Sequence, residues 1–145
     1  MEVVNLLVEQ GASLENKNKE SNTPLHLAAQ GGHLEVVKLL LKTPRAYIDP
    51  RNNDLQTPLH LATQKGHLKV VKLLRQQGVN IHAQDNNGFT PLHRACIDGN
   101  MKLVSILTEL KCDEYLSSLR ETDPDSFQLI IEPLRNRKLI KLLDF

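Results

Sequence analysis

The sequence predicts an all-α fold, a solenoid of stacked helix–turn–helix units. Three observations predict it. The tetrapeptide Thr-Pro-Leu-His begins at Thr23, Thr57 and Thr90, spaced by 34 and 33 residues, and a fixed period of that size is the mark of a repeat architecture. Each tetrapeptide is followed, after a short stretch, by a glycine and then by an apolar run with helical periodicity. Trp is absent and aromatic residues make up 3% of the chain, so the core must be built from Leu, Val, Ile and Ala, which suits thin layers of short helices.

Residues 1–17 read as the second half of a unit, with Val3, Leu6 and Leu7 as its apolar face. Two readings stay open: a piece of a longer array, or a native cap resting on the next unit alone. The first complete unit is assigned to 18–51. Thr23 can cap its first helix, and Pro24 follows at the first helical position, where a missing N–H costs nothing. That helix is about two turns long and ends at Gly32, and Val36-Val-Lys-Leu-Leu40 carries the second. Pro44 and Pro50 interrupt the following linker, which is one residue longer than its counterpart and should distort a loop and not the stack.

The unit at 52–84 repeats the plan with Thr57, Gly66 and Val70-Val-Lys-Leu-Leu74, and the unit at 85–117 repeats it with Thr90, Gly99 and Leu103-Val-Ser-Ile-Leu107. Asp85-Asn-Asn-Gly88 is the strongest turn signal between them. Ala28, Ala62 and Ala95 would let first helices approach closely. The segment 118–145 reads as a degenerate unit. Asp123-Pro124 is its weakened Thr-Pro opening, Asp125–Glu132 its first helix and Arg137–Leu143 its second. Terminal units of a solenoid are expected to be atypical, because one face meets water.

This is the pattern of the ankyrin repeat, and the stretch from Asn18 to Ser117 resembles that family closely. The resemblance implies a β-turn or hairpin finger ahead of each pair of antiparallel helices, with L-shaped units standing side by side. It also implies that His26, His60 and His93 are structural hydrogen-bonders between the threonine and the neighbouring turn. Asn80 sits where some repeats of this kind resemble hydroxylation sites, but the usual upstream acidic residue is missing.

The bulk chemistry excludes several classes. With 18 Lys+Arg against 17 Asp+Glu the net charge is +1, and no basic stripe calls for nucleic acid. No stretch approaches 18 consecutive apolar residues, so membrane insertion is not expected. Two cysteines make no disulfide framework and suit a reducing, intracellular compartment, cytoplasmic or nuclear, with delivery into a host cell as an effector left open. The three Thr-Pro-Leu-His histidines belong to separate layers about 10 Å apart, whereas shared metal ligation needs bonds of about 2 Å around one centre. His33 and His67 also repeat, and His82 stands in a linker. Cys96 falls where its siblings are Ala29 and Thr63, a small buried position, and no third group orients a Cys–His pair. No catalytic residues, cofactor or metal are therefore predicted.

What remains is recognition of another protein by a chain expected to be monomeric. Subtracting the shared framework leaves the positions that differ between units. The fingers contribute Lys19, Glu20 and Asn22, then Asn53, Asp54 and Gln56, then Asn86, Asn87 and Phe89. The first helices contribute Gln30, then Gln64 and Lys65, then Ile97 and Asp98. These positions resemble the target-reading, concave face of the family. Phe89 and Ile97 stand out as apolar members, either a contact patch or a cover for the last unit. Arg94 replaces Leu27 and Leu61 and would reach Asp98 or the C-terminal segment. Two further readings are kept: a structural segment of a larger ankyrin protein, and an adaptor whose C-terminal segment recruits a second protein such as a ubiquitin ligase.

Overall fold

A computed structural model describes residues 16–43, 47–108 and 112–136. Within them the chain is helical, in the order α1 (Pro24–Gly31), α2 (Leu34–Leu41), α3 (Pro58–Lys65), α4 (Leu68–Gln76), α5 (Pro91–Ile97), α6 (Met101–Thr108), α7 (Cys112–Thr122) and α8 (Pro124–Asn136). The first helices α1, α3 and α5 stand side by side, each also packed on its own second helix, and α2, α4 and α6 form a parallel row behind them. The solenoid expected from the repeat is therefore present.

Each first helix starts as its sequence dictates. Thr23, Thr57 and Thr90 are extended N-caps whose hydroxyls accept the backbone N–H of the histidine three residues on, with Pro at the first helical position. The same histidine side chain accepts the N–H of the cap, completing a reciprocal capping box. Gly32 and Gly66 end α1 and α3 in the left-handed conformation. α5 stops earlier than its siblings: Asp98 is its cap, and Gly99 takes the left-handed turn just beyond.

The core runs between the two rows. Ala28, Ala62 and Ala95 are buried where first helices meet, and Val37, Val70, Val71, Leu74, Leu103 and Val104 are buried on the second helices. Small residues at the first-helix contact allow close approach, and branched aliphatics fill the space behind.

The fingers close by the same device three times. Asn18, Asn52 and Asp85 each accept two N–H groups of their own turn through one side-chain oxygen, as with Asn52 Oδ1 from Asp54 (3.0 Å) and Gln56 (2.9 Å). Neighbouring fingers are joined by backbone bonds, Asn53 N–H to Glu20 O and Asn86 N–H to Asp54 O, both 2.9 Å. Each turn has a left-handed residue in the same place: Ser21 (φ 61°), Leu55 (φ 59°) and Gly88 (φ 83°). Only Gly88 occupies that region without steric cost.

The C-terminal part departs from the repeat in one respect the sequence pattern did not reveal. Asp123 does open a helix: its carboxylate accepts the Ser126 N–H at 3.2 Å and Pro124 follows it. The resulting α8 extends through the expected 125–132 to Asn136 and packs on α5, in the place of a further first helix. Between α6 and α8, however, α7 stands where inner layers have a finger. It runs across the boundary drawn at 117 and 118. Tyr115, Leu116 and Leu119 give it an apolar face at helical spacing, with Leu116 and Leu119 buried. The half-unit at 1–15 and the second helix expected at 137–143 lie outside the described residues.

Leu55 holds a side chain in a backbone region that costs about 1–2 kcal/mol for residues other than glycine, and it is 46% exposed. Leu55→Gly should therefore raise the unfolding free energy by up to about 1 kcal/mol, the relief being partly offset by the added freedom of the unfolded chain. Urea melts of the two proteins measure this, and a lower midpoint for the variant contradicts it.

Candidate partner-binding surface

The side chains that repeat are consumed by the stack. Thr23 N–H donates to His26 Nδ1 at 3.1 Å, so that nitrogen carries no proton and the other one does. His26 Nε2–H then donates to the Gln56 carbonyl of the next layer at 2.8 Å. His60 does the same between Thr57 (3.1 Å) and the Phe89 carbonyl (2.9 Å). His93 receives the Thr90 N–H at 3.2 Å. Each imidazole thus caps the helix of its own layer, and those of His26 and His60 also reach the next. Among the described residues, no group of three or more His, Cys, Asp or Glu side chains is placed to hold a metal ion.

His26, His60 and His93 all have pKa values below the ordinary histidine value. Burial is the main cause, because desolvation penalises the imidazolium. Nearby carbonyls, and Asp85 and Asp123 for the latter two, act in the opposite direction without overcoming it. His67 adds a further bond between layers, Nε2 to the Gln30 carbonyl at 2.9 Å. Its ring lies directly over Gly32, where an added Cβ would fall 2.6 Å from His67 Nδ1.

The positions that differ between units fall into three groups. Lys19, Glu20, Gln64, Lys65 and Asn87 are exposed or nearly so, and among the described residues no side-chain hydrogen bond engages them. Asn22, Asn53, Asp54, Gln56 and Asn86 are partly spent on the fingers. Asn52 Nδ2 donates to Asn22 (3.0 Å) and Gln56 (3.2 Å), Asn53 donates to the Lys19 carbonyl (3.1 Å), and Asn86 donates to Asp54 (3.5 Å). Gln30 is half-buried and lends its carbonyl to His67, while Asp98 is exposed and pairs with Arg94 at 3.3 Å. Arg94 thus lies in ion-pair contact with Asp98, one of the two partners expected for it, without an aligned hydrogen bond at Nε among the described residues.

The two apolar members sit differently from a surface patch. Ile97 is only 4% exposed and belongs to the core. Of the two readings kept for it, an outward contact is corrected in favour of a cover for the last unit: α8 packs on α5, and Ile97 shares a buried cluster with Phe127, Ile130 and Ile131 of α8. Phe89 is half-buried against the same core, while its backbone carbonyl serves His60. Sequence subtraction missed Leu27 (45%) and Leu55 (46%), two of the five large apolar residues that are exposed among the described residues, with Tyr47, Met101 and Leu129. Leu27 shares its repeat position with Leu61, which is buried, so no residue-type signal could separate them.

A family model for ankyrin repeats in three copies matches residues 1–85, and one for a single ankyrin repeat matches 87–116. The chain belongs to the ankyrin repeat family. Ankyrin repeats are protein–protein interaction modules and are typically not enzymes. No curated protein matches the chain, so the partner has to be read from the surface. No helix among the described residues is long and apolar enough to cross a membrane.

Two predictions follow from this geometry. The depressed histidine pKa values mean that the unfolded chain binds more protons than the fold just below the ordinary histidine value of about 6.5. Stability is therefore complete above that pH and declines as pH falls through it toward the folded-state values. Urea midpoints should drop on going from slightly alkaline to mildly acidic buffer, and a midpoint that rises or stays level contradicts the role of the neutral rings. Gly32→Ala forces a left-handed Cβ into the His67 ring and should destabilise by more than about 1 kcal/mol, measured by thermal melting together with a shifted His67 resonance.

Proposed function

We propose that the protein binds a protein partner across its fingers and the adjoining edges of its first helices. The observation that carries this reading is a division of labour among side chains. The Thr and His residues of the repeated tetrapeptide are buried or hydrogen-bonded within the stack, while Lys19, Glu20, Lys65 and Asn87 differ from their counterparts, Gln64 matches only Gln30, and all five face solvent. Selection of a partner needs side chains that the scaffold does not use, and these are the ones available. They carry both signs of charge on a chain of net charge +1, which fits a mixed polar protein surface better than a polyanion.

Asn53, Asp54, Asn86 and Asp98 would contribute as a fixed polar rim, since bonds within and between layers already hold them. Phe89 would act mainly through the finger it anchors. Placing 118–145 as a layer that closes the solenoid is favoured over a free recruiting arm by the burial of Phe127, Ile130 and Ile131 and by the packing of α8 on α5.

The test is parallel affinity capture with the native protein and the variant Gln64→Ala/Lys65→Glu/Asn87→Ala. These three side chains are exposed and make no hydrogen bond among the described residues, so the thermal midpoint should be unchanged. Direct partners should lose roughly tenfold in affinity, about 1.4 kcal/mol. A direct partner bound equally well by both proteins assigns recognition to another surface and defeats the proposal. Ile97 is left unaltered because its burial would turn the test into one of folding.

A further inference from the structure

The ladder of imidazoles changes at its last rung. His26 and His60 each donate Nε2–H to the carbonyl of the residue just before the next N-cap, Gln56 before Thr57 and Phe89 before Thr90. The next N-cap after His93 is Asp123, and the residue before it is Thr122. Thr122 is the last residue of α7 and not part of an extended finger. Among the described residues, none accepts a hydrogen bond from His93 Nε2. The Gly88 carbonyl lies near the ring but belongs to the layer of His93 itself. The residue as a whole is 4% exposed.

In front of it opens a cavity of about 660 Å³, lined by Leu92, His93, Leu107, Leu119, Asp123 and Ser126 among others. Its origin is the exchange of a finger for a helix. Residues 77–89 join α4 to Thr90 as an extended loop and turn, whereas ahead of Asp123 the described residues 112–122 form α7. A helix spends most of its carbonyls on its own ladder, and the described residues leave partly empty the place an extended backbone fills twice elsewhere.

We propose that this cavity is a peptide-binding site that takes a short extended segment of a protein partner. The segment delivers a backbone carbonyl to His93 Nε2–H, as Gln56 and Phe89 do in the inner layers. The fold itself supplies the argument for this occupant, because an extended chain sits in the corresponding place on His26 and on His60. The chemistry of the walls agrees. His93 offers a donor and the Asp123 carboxylate an acceptor, which match the alternating C=O and N–H of an extended backbone. Leu92, Leu107 and Leu119 offer apolar surface to a side chain. The size falls within the range of sites that enclose small ligands. Arg75, at the same cavity, already donates to the Ile106 carbonyl, and Asp123 opposes its charge, so a strongly anionic ligand is not favoured. The site shares no residue with the surface assigned above and stands independently of it.

The probe is a synthetic peptide with the sequence of residues 83–90, the stretch that carries the Phe89 carbonyl onto His60. It is titrated into the full chain labelled with ¹⁵N in its histidines, at a pH where the rings are neutral. In the free protein the His93 Nε2 resonance should stand apart from those of His26 and His60. Added peptide should move it toward theirs, saturably, while a scrambled peptide does not. Ser118→Phe fills the cavity from the surface of α7 and should weaken binding by roughly tenfold or more with His26 and His60 unchanged. Four results overturn the proposal: no saturable shift at His93, an equal shift with the scrambled peptide, undiminished binding by Ser118→Phe, or a His93 Nε2 already bonded like its siblings in the free chain. The last would mean that a segment of the chain itself is the occupant.

Discussion

The fold depends on a neutral imidazole that accepts on one side and donates on the other. Nδ1 takes the N–H of the helix cap, and Nε2–H reaches the carbonyl that precedes the next cap. One ring therefore completes the start of its own helix and positions the start of the next. The helices need this. α1 and α3 have 8 residues each and α5 has 7, well below the roughly 12–15 at which an isolated helix becomes even marginal in water. Their stability comes from neighbours, so it behaves as a sum of layer and interface terms. A protonated ring has no lone pair for the cap N–H, and the two functions fail together.

Because the coupling is periodic, most of the architecture was legible in the repeated residues. Threonine, proline and histidine announced the helix starts, Gly32 and Gly66 their ends, and the alanines the close contact between first helices. What escaped was everything that depends on place in the stack and not on residue type. Leu27 and Leu61 read identically, yet one is exposed and the other buried. Ile97 stood out because its siblings are Gln30 and Gln64, but its type alone could not choose between a contact and a cover, and it is buried with residues of α8. Helix α7 escaped because the pattern called for a finger there, and its short apolar face is set only by Tyr115, Leu116 and Leu119. Comparison between units assumes that every layer has the same neighbours, and the last layer does not.

The fingers limit what the variable positions can do for a partner. Asn22, Asn52 and Gln56 form a ladder of side-chain amides across two turns, Asn53 donates beside it to the Lys19 carbonyl, and Asn86 bonds weakly to Asp54. Variation at such sites alters the scaffold as well as the surface. Residues outside the ladder, such as Lys65 and Asn87, can change without that consequence. A residue that differs between repeats is therefore not by that fact a contact residue; the hydrogen bonds decide which differences are available for recognition.

The same reasoning explains why the two candidate surfaces differ in kind. Along the inner layers His26 and His60 of the framework are matched by a carbonyl of the layer beside them, and recognition must rely on side chains added around the edge. At the last layer the matching partner is a helix in place of a finger. A framework group, His93, then faces a cavity whose missing element is defined by the preceding repeats. An edge of added side chains can be altered freely, and its specificity follows the sequence of the fingers. An incomplete rung asks for backbone and not for a particular side chain. Any selectivity there has to come from the apolar walls that Leu92, Leu107 and Leu119 place around it.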